Sequence, residues 1–179
     1  PRAWTRGTQG LVSASPVLVD IRSEQDLAKY RGKLRGKVVV TPVTNEPVVS
    51  FNPMASRYSD QDLENIARLP DPRSPSFGNP VQAQQGWDDR RNMMRRRSEF
   101  FEEEGVVAVL HASGNFGTVR SGGSGYAVGA DRSLPQIDMT FEHYGRIVRL
   151  LEAGIEVSLD LDVANRFIED DIKGYNVIA

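Results

Sequence analysis

The sequence contains no cysteine among its 179 residues, and only two of its residues are histidines. Without thiols there can be no disulfide framework, no thiolate zinc site and no cysteine nucleophile. A catalytic zinc site needs about three protein ligands and an open position. Neither a His-x-Asp nor a His-Glu-x-x-His pattern surrounds His111 or His143. We therefore predict that both are structural or surface residues and that the chain holds no metal.

Long hydrophobic runs and an excess of charge of one sign are missing as well. No run approaches the roughly 18 apolar residues that cross a bilayer, and the N-terminus lacks the residue order of a signal peptide. The 22 Lys and Arg residues oppose 24 Asp and Glu residues, which gives a formal net charge of -2. Phosphate contacts normally need a strongly basic face. We therefore predict neither a membrane span nor a nucleic-acid partner.

The length suffices for one domain with a real core, because a chain of this size buries on the order of 70% of its surface on folding. The predicted strands are 17–19, 38–40, 106–110, 134–139 and 155–163, and the predicted helices are a short one opened by Ser23, then 59–69, 87–104 and 141–153. The last strand alternates apolar and polar residues, so it has one wet face. This favours a mixed α/β (α+β) fold, with helices on one side of a mixed sheet rather than on both sides of a parallel one.

The stretch from Pro42 to Gln85 differs from the rest of the chain in its many prolines. Proline removes a backbone donor and fixes φ, so long regular elements are excluded there. One short helix fits at 59–69, where Ser59-x-x-Asp62 has the form of a helix cap. We interpret the remainder as ordered loop.

The helix predicted at 87–104 carries both an apolar stripe and a basic block. Trp87, Met94 and Phe101 recur every seven residues, and Gly105 ends the helix. The arginine-rich block 90–97 invites an anion-binding interpretation. Glutamates downstream balance its charge and no aromatic residue lies within it, so we predict a solvated helix face.

The glycines, serines and carboxylates of the other candidate sites do not match a known phosphate-binding or catalytic motif. The glycine-rich stretch 122–129 is typical of a phosphate-binding loop in composition, but no helix follows it directly and its glycine spacing does not match. Ser113 and Ser121 are not part of a Gly-x-Ser-x-Gly elbow. Asp160 and Asp162 share the wet face of a strand, and 169–171 is a charged turn. We predict no catalytic, cofactor-binding or metal-ligating residue.

The order of several stretches resembles a protease-associated (PA) domain. They read Gly-Lys-Leu-Arg-Gly-Lys-Val-Val-Val at 32–40, Glu-Gly-Val-Val-Ala-Val-Leu at 104–110, Leu-Pro-Gln-Ile at 134–137, Tyr-Gly-Arg-Ile-Val-Arg-Leu-Leu at 144–151 and Gly-Ile-Glu-Val at 154–157. The closing stretch 171–179 is similar to the strand by which the chain re-enters the catalytic domain of zinc aminopeptidases related to glutamate carboxypeptidase. We expect the sequence to be a piece of such a peptidase, ending before the family's His-x-Asp segment.

The resemblance, which spans Trp4 to Ala179, implies a swivelling β/β/α architecture with helices packed on a mixed, barrel-like sheet. It implies a single domain over 1–179, in which 52–97 is a probable insertion. In relatives this domain holds no zinc ligand, so no catalytic residue is carried over, and zinc is expected only in the parent catalytic domain. The implied partners are that catalytic domain and a peptide substrate or partner protein. The implied location is secreted or periplasmic.

Three functions of different classes are compatible with these features. The first is a non-catalytic PA domain of a zinc-dependent aminopeptidase-type hydrolase, which acts as a lid over the cleft or in substrate access. Its tips would be the loops between His111 and Asp131. The second is a protein-protein interaction module with no role in substrate access, whose binding surface would be the arginine helix with Trp87, Met93, Met94 and Phe101. The third is a small enzyme with a phosphate ligand on the glycine-rich loop, although a titratable cluster is missing.

Overall fold

The structure is a computed structural model that describes residues 1–43, 51, 53, 55–68, 80–113, 119, 121–123, 125, 127–170 and 173–174, with residues 80–85 as backbone only. The strands are β1 Val12–Ala14, β2 Pro16–Leu18, β3 Val38–Val40, β4 Ala108–Ala112, β5 Gln136–Met139 and β6 Leu159–Leu161. The helices are α1 Glu24–Tyr30, α2 Asp60–Ala67, α3 Pro80–Glu104 and α4 Phe141–Glu152. The predicted strand at 171–179 lies largely outside the described residues.

The chain divides into two compact units. The first unit comprises Pro1–Pro47 and Arg96–Ala179, and the second comprises Val48–Arg95. All strands, α1 and α4 belong to the first unit, α2 belongs to the second, and the division falls within α3. The interpretation of 52–97 as an insertion in a single PA domain stays a prediction.

The first unit contains two sheets, and the prediction of a mixed α/β fold is confirmed. One sheet has four strands in the order β2-β3-β4-β5, and the other pairs β1 with β6. Every pairing in the larger sheet is parallel, whereas β1 and β6 are antiparallel. The expectation of one mixed sheet was therefore wrong in detail. The reason is the corner at Ser15, where the chain leaves β1 and enters β2, and where Ser15 O accepts a hydrogen bond from Val38 N (3.1 Å).

The core lies between the parallel sheet and α4. Val38 and Val40 of β3 pack with Ala108 and Leu110 of β4 against the buried face of α4. The buried residues of that helix face are Tyr144, Gly145, Ile147 and Val148. Alternate residues of a strand point to opposite faces, so Val39 and Val109, also buried, belong to the face away from α4. Both faces of these two strands are therefore buried.

Local signals explain where the helices begin and end. Asp26 accepts a hydrogen bond from Ser23 N (2.9 Å) at the start of α1, as the cap predicts. Lys29 and Ser23 hold the pKa of the Asp26 carboxyl below its usual range. Gly105 and Gly154 follow α3 and α4 with φ of 74° and 71°, a conformation that suits glycine. The helix α3 begins at Pro80 and not at Trp87, the predicted first residue. Proline is tolerated at the first helical position because the N–H group that it lacks would have no acceptor within the helix.

The predicted apolar stripes are only partly buried. Phe101 of α3 is buried, but Trp87 and Met94 are 64% and 55% exposed. Leu63 and Ile66 of α2 are also exposed. The periodicity of these helices was recognised correctly, but periodicity does not reveal whether a second element covers the stripe.

The hydroxyl of Tyr144 ties α4 to the end of β3. It donates to Thr41 O (2.8 Å) and accepts from Thr41 N (2.7 Å), in a side chain that is 1% exposed. We predict that Tyr144→Phe lowers the free energy of unfolding by about 1–3 kcal/mol, because a partly buried N–H loses its acceptor. The matched control is Tyr30→Phe, which removes a more exposed bond to Asp20 N and should cost less than about 1 kcal/mol. Urea unfolding measures both, and equal losses would contradict the expectation.

Candidate functional site

Polar side chains gather on β4 and β5, on the sheet face away from α4. His111 and Asp138 stand opposite each other in the parallel register, and Gln136 lies two residues before Asp138 on the same face. Arg2 and Ser121 complete the group, which we name the edge cluster: Arg2, His111, Ser121, Gln136 and Asp138. His111 and Asp138 lie near the carboxyl ends of their strands, which is where open parallel sheets bind ligands.

The strongest contact of the edge cluster is a forked ion pair between Arg2 and Asp138. Arg2 Nη2 lies 2.7 Å from Asp138 Oδ1, and Arg2 Nε lies 2.9 Å from Oδ2. The Asp138 side chain is 4% exposed. Burial acts to raise the pKa of Asp138, but the hydrogen bonds and charge of Arg2 outweigh it, and the pKa is lowered. The carboxylate is therefore charged, and Arg2 is its main partner.

The partners of Gln136 determine the tautomer of His111. Gln136 Oε1 lies 3.3 Å from Arg2 Nη1 and 3.1 Å from His111 Nε2. Arginine only donates hydrogen bonds, so the amide atom that faces it is the oxygen, and His111 Nε2 must then carry the proton. Burial and the nearby Arg2 charge lower the pKa of His111 to about 4. His111 is therefore neutral at pH 7, with Nδ1 as its acceptor atom.

The edge cluster clamps the N-terminal residues to the loop that follows β4. Ser121 Oγ lies 3.1 Å from both Asp138 Oδ2 and Pro1 O. The ring of Trp4 covers Gly123 so closely that a Cβ there would stand 2.4 Å from a ring carbon. Among the described residues, no buried side-chain N or O atom lacks a hydrogen-bond partner. The geometry is that of a closed polar clamp and not of an open catalytic pocket.

The topology of the parallel sheet agrees with this interpretation. Ligand crevices in open α/β sheets form where the strand order reverses. The order β2-β3-β4-β5 runs in one direction without a reversal among the described strands. The carboxyl ends of β4 and β5 therefore carry polar groups, but the described strands do not form the switch point at which a ligand crevice is expected.

The two histidines lie in different surroundings. His111 belongs to the edge cluster, whereas His143 is exposed in the first turn of α4. Within the described part of the chain, no three His, Asp or Glu side chains form a group that could hold a metal ion. The described residues therefore do not fit a catalytic zinc site.

The arginine-rich block 90–97 is divided between the two units. In the first unit, Arg96 Nη1 lies 3.1 Å from Glu99 Oε2 and its Nε lies 3.6 Å from Glu24 Oε1. Burial lowers the pKa of Arg97. In the second unit, the guanidinium of Arg90 lies 5.6 Å from the ring of Trp87. The arginine-rich block is therefore split, and Arg96 and Arg90 each contact neighbours within their own unit.

Of the remaining candidates, Ser121 belongs to the edge cluster, and the others are placed as follows. Ser113 is buried directly after β4. Asp160 accepts a hydrogen bond from Ser13 on the two-stranded sheet, and Asp162 is exposed. Glu169 lies 3.8 Å from Arg132, and Asp171 lies outside the described residues. In the glycine-rich stretch, 122, 123, 125 and 127–129 are described, all of them exposed.

Sequence reasoning missed Arg2, Gln136 and Asp138. A signal for two of them existed, because Gln136 and Asp138 alternate with apolar residues in a strand beside the core. No local pattern identifies Arg2, whose partner lies 136 positions away.

Comparisons with known proteins give little further assignment. No family model matches the chain, and no curated protein matches it. Among solved structures, the chain is similar to a Peptidase M28 precursor from Shewanella amazonensis, with 18% sequence identity and a TM-score of 0.48. The match covers 89% of this chain and 29% of the other, so this chain spans less than a third of that protein. A likeness at this level assigns neither family nor activity, and the PA resemblance stays a prediction. No described helix is long and apolar enough to cross a membrane.

We predict that the edge cluster makes the fold acid-sensitive. The pKa of His111 falls from 6.5 to about 4 on folding, so the unfolded chain binds the proton more tightly. Stability is therefore lost as the pH falls from 6.5 towards 4, by up to about 3 kcal/mol. Below pH 3.8 the lowered pKa of Asp138 adds a further loss as its carboxylate is protonated.

Urea unfolding between pH 7 and pH 4 measures this dependence. His111→Gln keeps a donor but cannot titrate, so its stability should fall less steeply across that range than that of the wild-type chain. His143→Gln is the matched control, because His143 is exposed, and it should follow the wild type. Parallel curves for His111→Gln and the wild type would show that His111 does not cause the acid sensitivity.

Proposed function

We propose that this chain is a non-catalytic, protease-associated domain of a zinc-dependent aminopeptidase-type hydrolase, and that it acts as a lid or in substrate access. The observation that carries the proposal is the joining of two segments near opposite ends of the described chain. Asn165 Nδ2 donates to Arg2 O (3.1 Å) and Thr5 O (2.9 Å), and Thr8 N donates to Val163 O (2.9 Å). A domain carried within a host chain needs its two connections close together.

The carboxyl edge of the parallel sheet supports the access role. The edge cluster holds Arg2 and Ser121 rigidly on the sheet, while residues 127–132 of the following loop are exposed. Exposed loops on a rigid scaffold are the usual place for recognition. These exposed residues are the tips that would approach a peptide entering the cleft.

The PA resemblance supplies the rest of the proposal. Zinc would belong to the parent catalytic domain, which would also be the main partner of this chain. The parent would be secreted or periplasmic. The described residues contain no group that fits a metal ion, so no catalytic step is assigned to them.

The purified chain tests the non-catalytic part of the proposal. We predict no hydrolysis of leucine p-nitroanilide above the blank after addition of zinc, and far less than one zinc ion per chain by atomic absorption. The physical reason is that neither His111 nor His143 lies in a group of three ligands formed by the described residues. Stoichiometric zinc with turnover would overturn the proposal.

The access role is tested in the host peptidase. Replacement of 127–132 by a Gly-Ser loop of equal length should change kcat/KM for a decapeptide and leave kcat/KM for leucine p-nitroanilide unchanged. The control replaces the exposed turn 31–33, which lies before β3. Equal effects on both substrates, or none on the decapeptide, would contradict an access role.

A second function, a protein-protein interaction module with no role in substrate access, is favoured by the second unit. None of its described side chains is buried, over 51, 53, 55–68 and 86–95. The large apolar side chains exposed there are Phe51, Tyr58, Leu63, Ile66, Trp87 and Met94. Aromatic residues, methionine and arginine are enriched at interfaces.

For this second function we predict that the double variant Trp87→Ser with Met94→Ser dissociates the host protein's assembly, as measured by light scattering, and leaves both substrates' kinetics unchanged. Loss of two exposed contact residues removes binding energy without disturbing a core. The control is Lys33→Ser, an exposed residue of the first unit, which should leave the assembly intact. Retained assembly in the double variant would argue against this surface.

A further inference from the structure

A groove of about 670 Å³ lies in the first unit, at the amino ends of β2 and β3. Its lining residues are Ser15, Pro16, Lys37, Leu151, Gly154, Ile155, Glu156, Val157 and Ser158. The groove is therefore bounded by the corner between β1 and β2, the residue before β3, the end of α4, and the segment that leads into β6. Its volume is within the range of ligand sites.

The segment 155–158 presents unused backbone to this groove. Apolar and polar residues alternate along it, which predicts a strand, but β6 pairs with β1 only over Leu159–Leu161. Pairing stops there because β1 ends at Ala14 and the chain turns into β2. The backbone N–H and C=O groups of Glu156, Val157 and Ser158 make no hydrogen bond to any other described residue. Unpaired extended backbone beside a strand is what an added strand requires.

The side chains of the groove indicate the chemistry of an occupant. Leu151 and Val157 are half-buried and Ile155 is 52% exposed, so they provide an apolar surface. Lys37 is half-buried, and none of the carboxylates described lies within ion-pair distance of it. Glu156 also lines the groove, but its side chain is exposed and forms no ion pair with Lys37. The half-buried cation of Lys37 in a partly apolar groove therefore favours a ligand that brings a carboxylate to it.

We propose that this groove binds an extended peptide segment of another protein, which adds as a strand beside Glu156–Ser158 and places an acidic group at Lys37. Main-chain hydrogen bonds to 156–158 provide the affinity. An apolar side chain of the peptide rests on Leu151 and Val157. The carboxylate at Lys37 provides the preference for acidic over neutral peptides. This binding is independent of the function proposed above, since the isolated chain contains the whole groove.

The probe is acetyl-Thr-Val-Thr-Val-Asp, titrated into the full chain labelled with ¹⁵N and followed by NMR. We expect saturable shifts at 155–158, slower amide hydrogen exchange at Glu156, Val157 and Ser158, and at least fivefold weaker binding when Asn with an amidated end replaces Asp. A peptide with proline in place of the central threonine should bind at least fivefold more weakly, because it cannot complete the backbone pairing. No saturable shift at millimolar peptide, or shifts elsewhere only, would overturn the proposal.

The variant Lys37→Met separates the charge contribution from the backbone contribution. It should remove the preference for the acidic peptide and leave binding of the amidated asparagine peptide unchanged. Lys33→Met is the matched control, since Lys33 is exposed and does not line the groove. A preference for the acidic peptide that persists in Lys37→Met would overturn the assignment of Lys37. If Lys37→Met does not fold, Lys37→Gln removes the same charge with a polar side chain, and it should likewise lose the preference for the acidic peptide.

Discussion

The corner at Ser15 is the constraint on which the rest of the first unit depends. A single residue separates β1 from β2, so one continuous stretch of chain serves two sheets of opposite pairing type. Ser15 O accepts from Val38 N and thereby sets the register of the parallel sheet at its first pair of strands. The same turn removes β1 from beside the segment 155–158. The unpaired backbone of the groove is thus a direct result of the change of sheet.

At the opposite edge of the sheet, the polar residues are arranged for order and not for turnover. A buried carboxylate is tolerated only when its charge is compensated, and Arg2 provides this at Asp138 through a forked pair. The pair brings the N-terminal residues onto β5, and Ser121 adds the loop that follows β4. Neutral His111 completes the network through Gln136. Each residue of this group hydrogen-bonds at least one other member, so the edge cluster ties the N-terminal residues and the loop after β4 to this edge of the sheet.

Much of the fold could be predicted from the sequence, but little of the candidate site. The valines at 38–40 predict a strand, and the structure has a strand there. The apolar stripe at 141–153 predicts a helix face in the core, and α4 packs with that face. Both patterns depend on local geometry. The same reasoning failed for Trp87 and Met94, whose stripe is exposed. No local pattern indicates the role of Arg2, because its ion pair is with Asp138, which lies 136 positions further along the chain. The expected mixed sheet became two sheets for a similar reason, because a hydrophobic pattern does not specify which strand is the partner.

The sequence by itself determined which stretches form all four helices and most of the strands, and that glycines follow α3 and α4. Backbone preference and hydrophobic period are properties of a few adjacent residues. The sequence also determined the balanced charge and the lack of thiol chemistry. Only the tertiary structure decided that Asp138 meets Arg2, that His111 is held neutral, and that the backbone of 156–158 makes no hydrogen bond to the described residues. The physical reason is that each of these depends on the register between segments far apart in the chain, where burial and partner charges are set by packing and not by sequence neighbours.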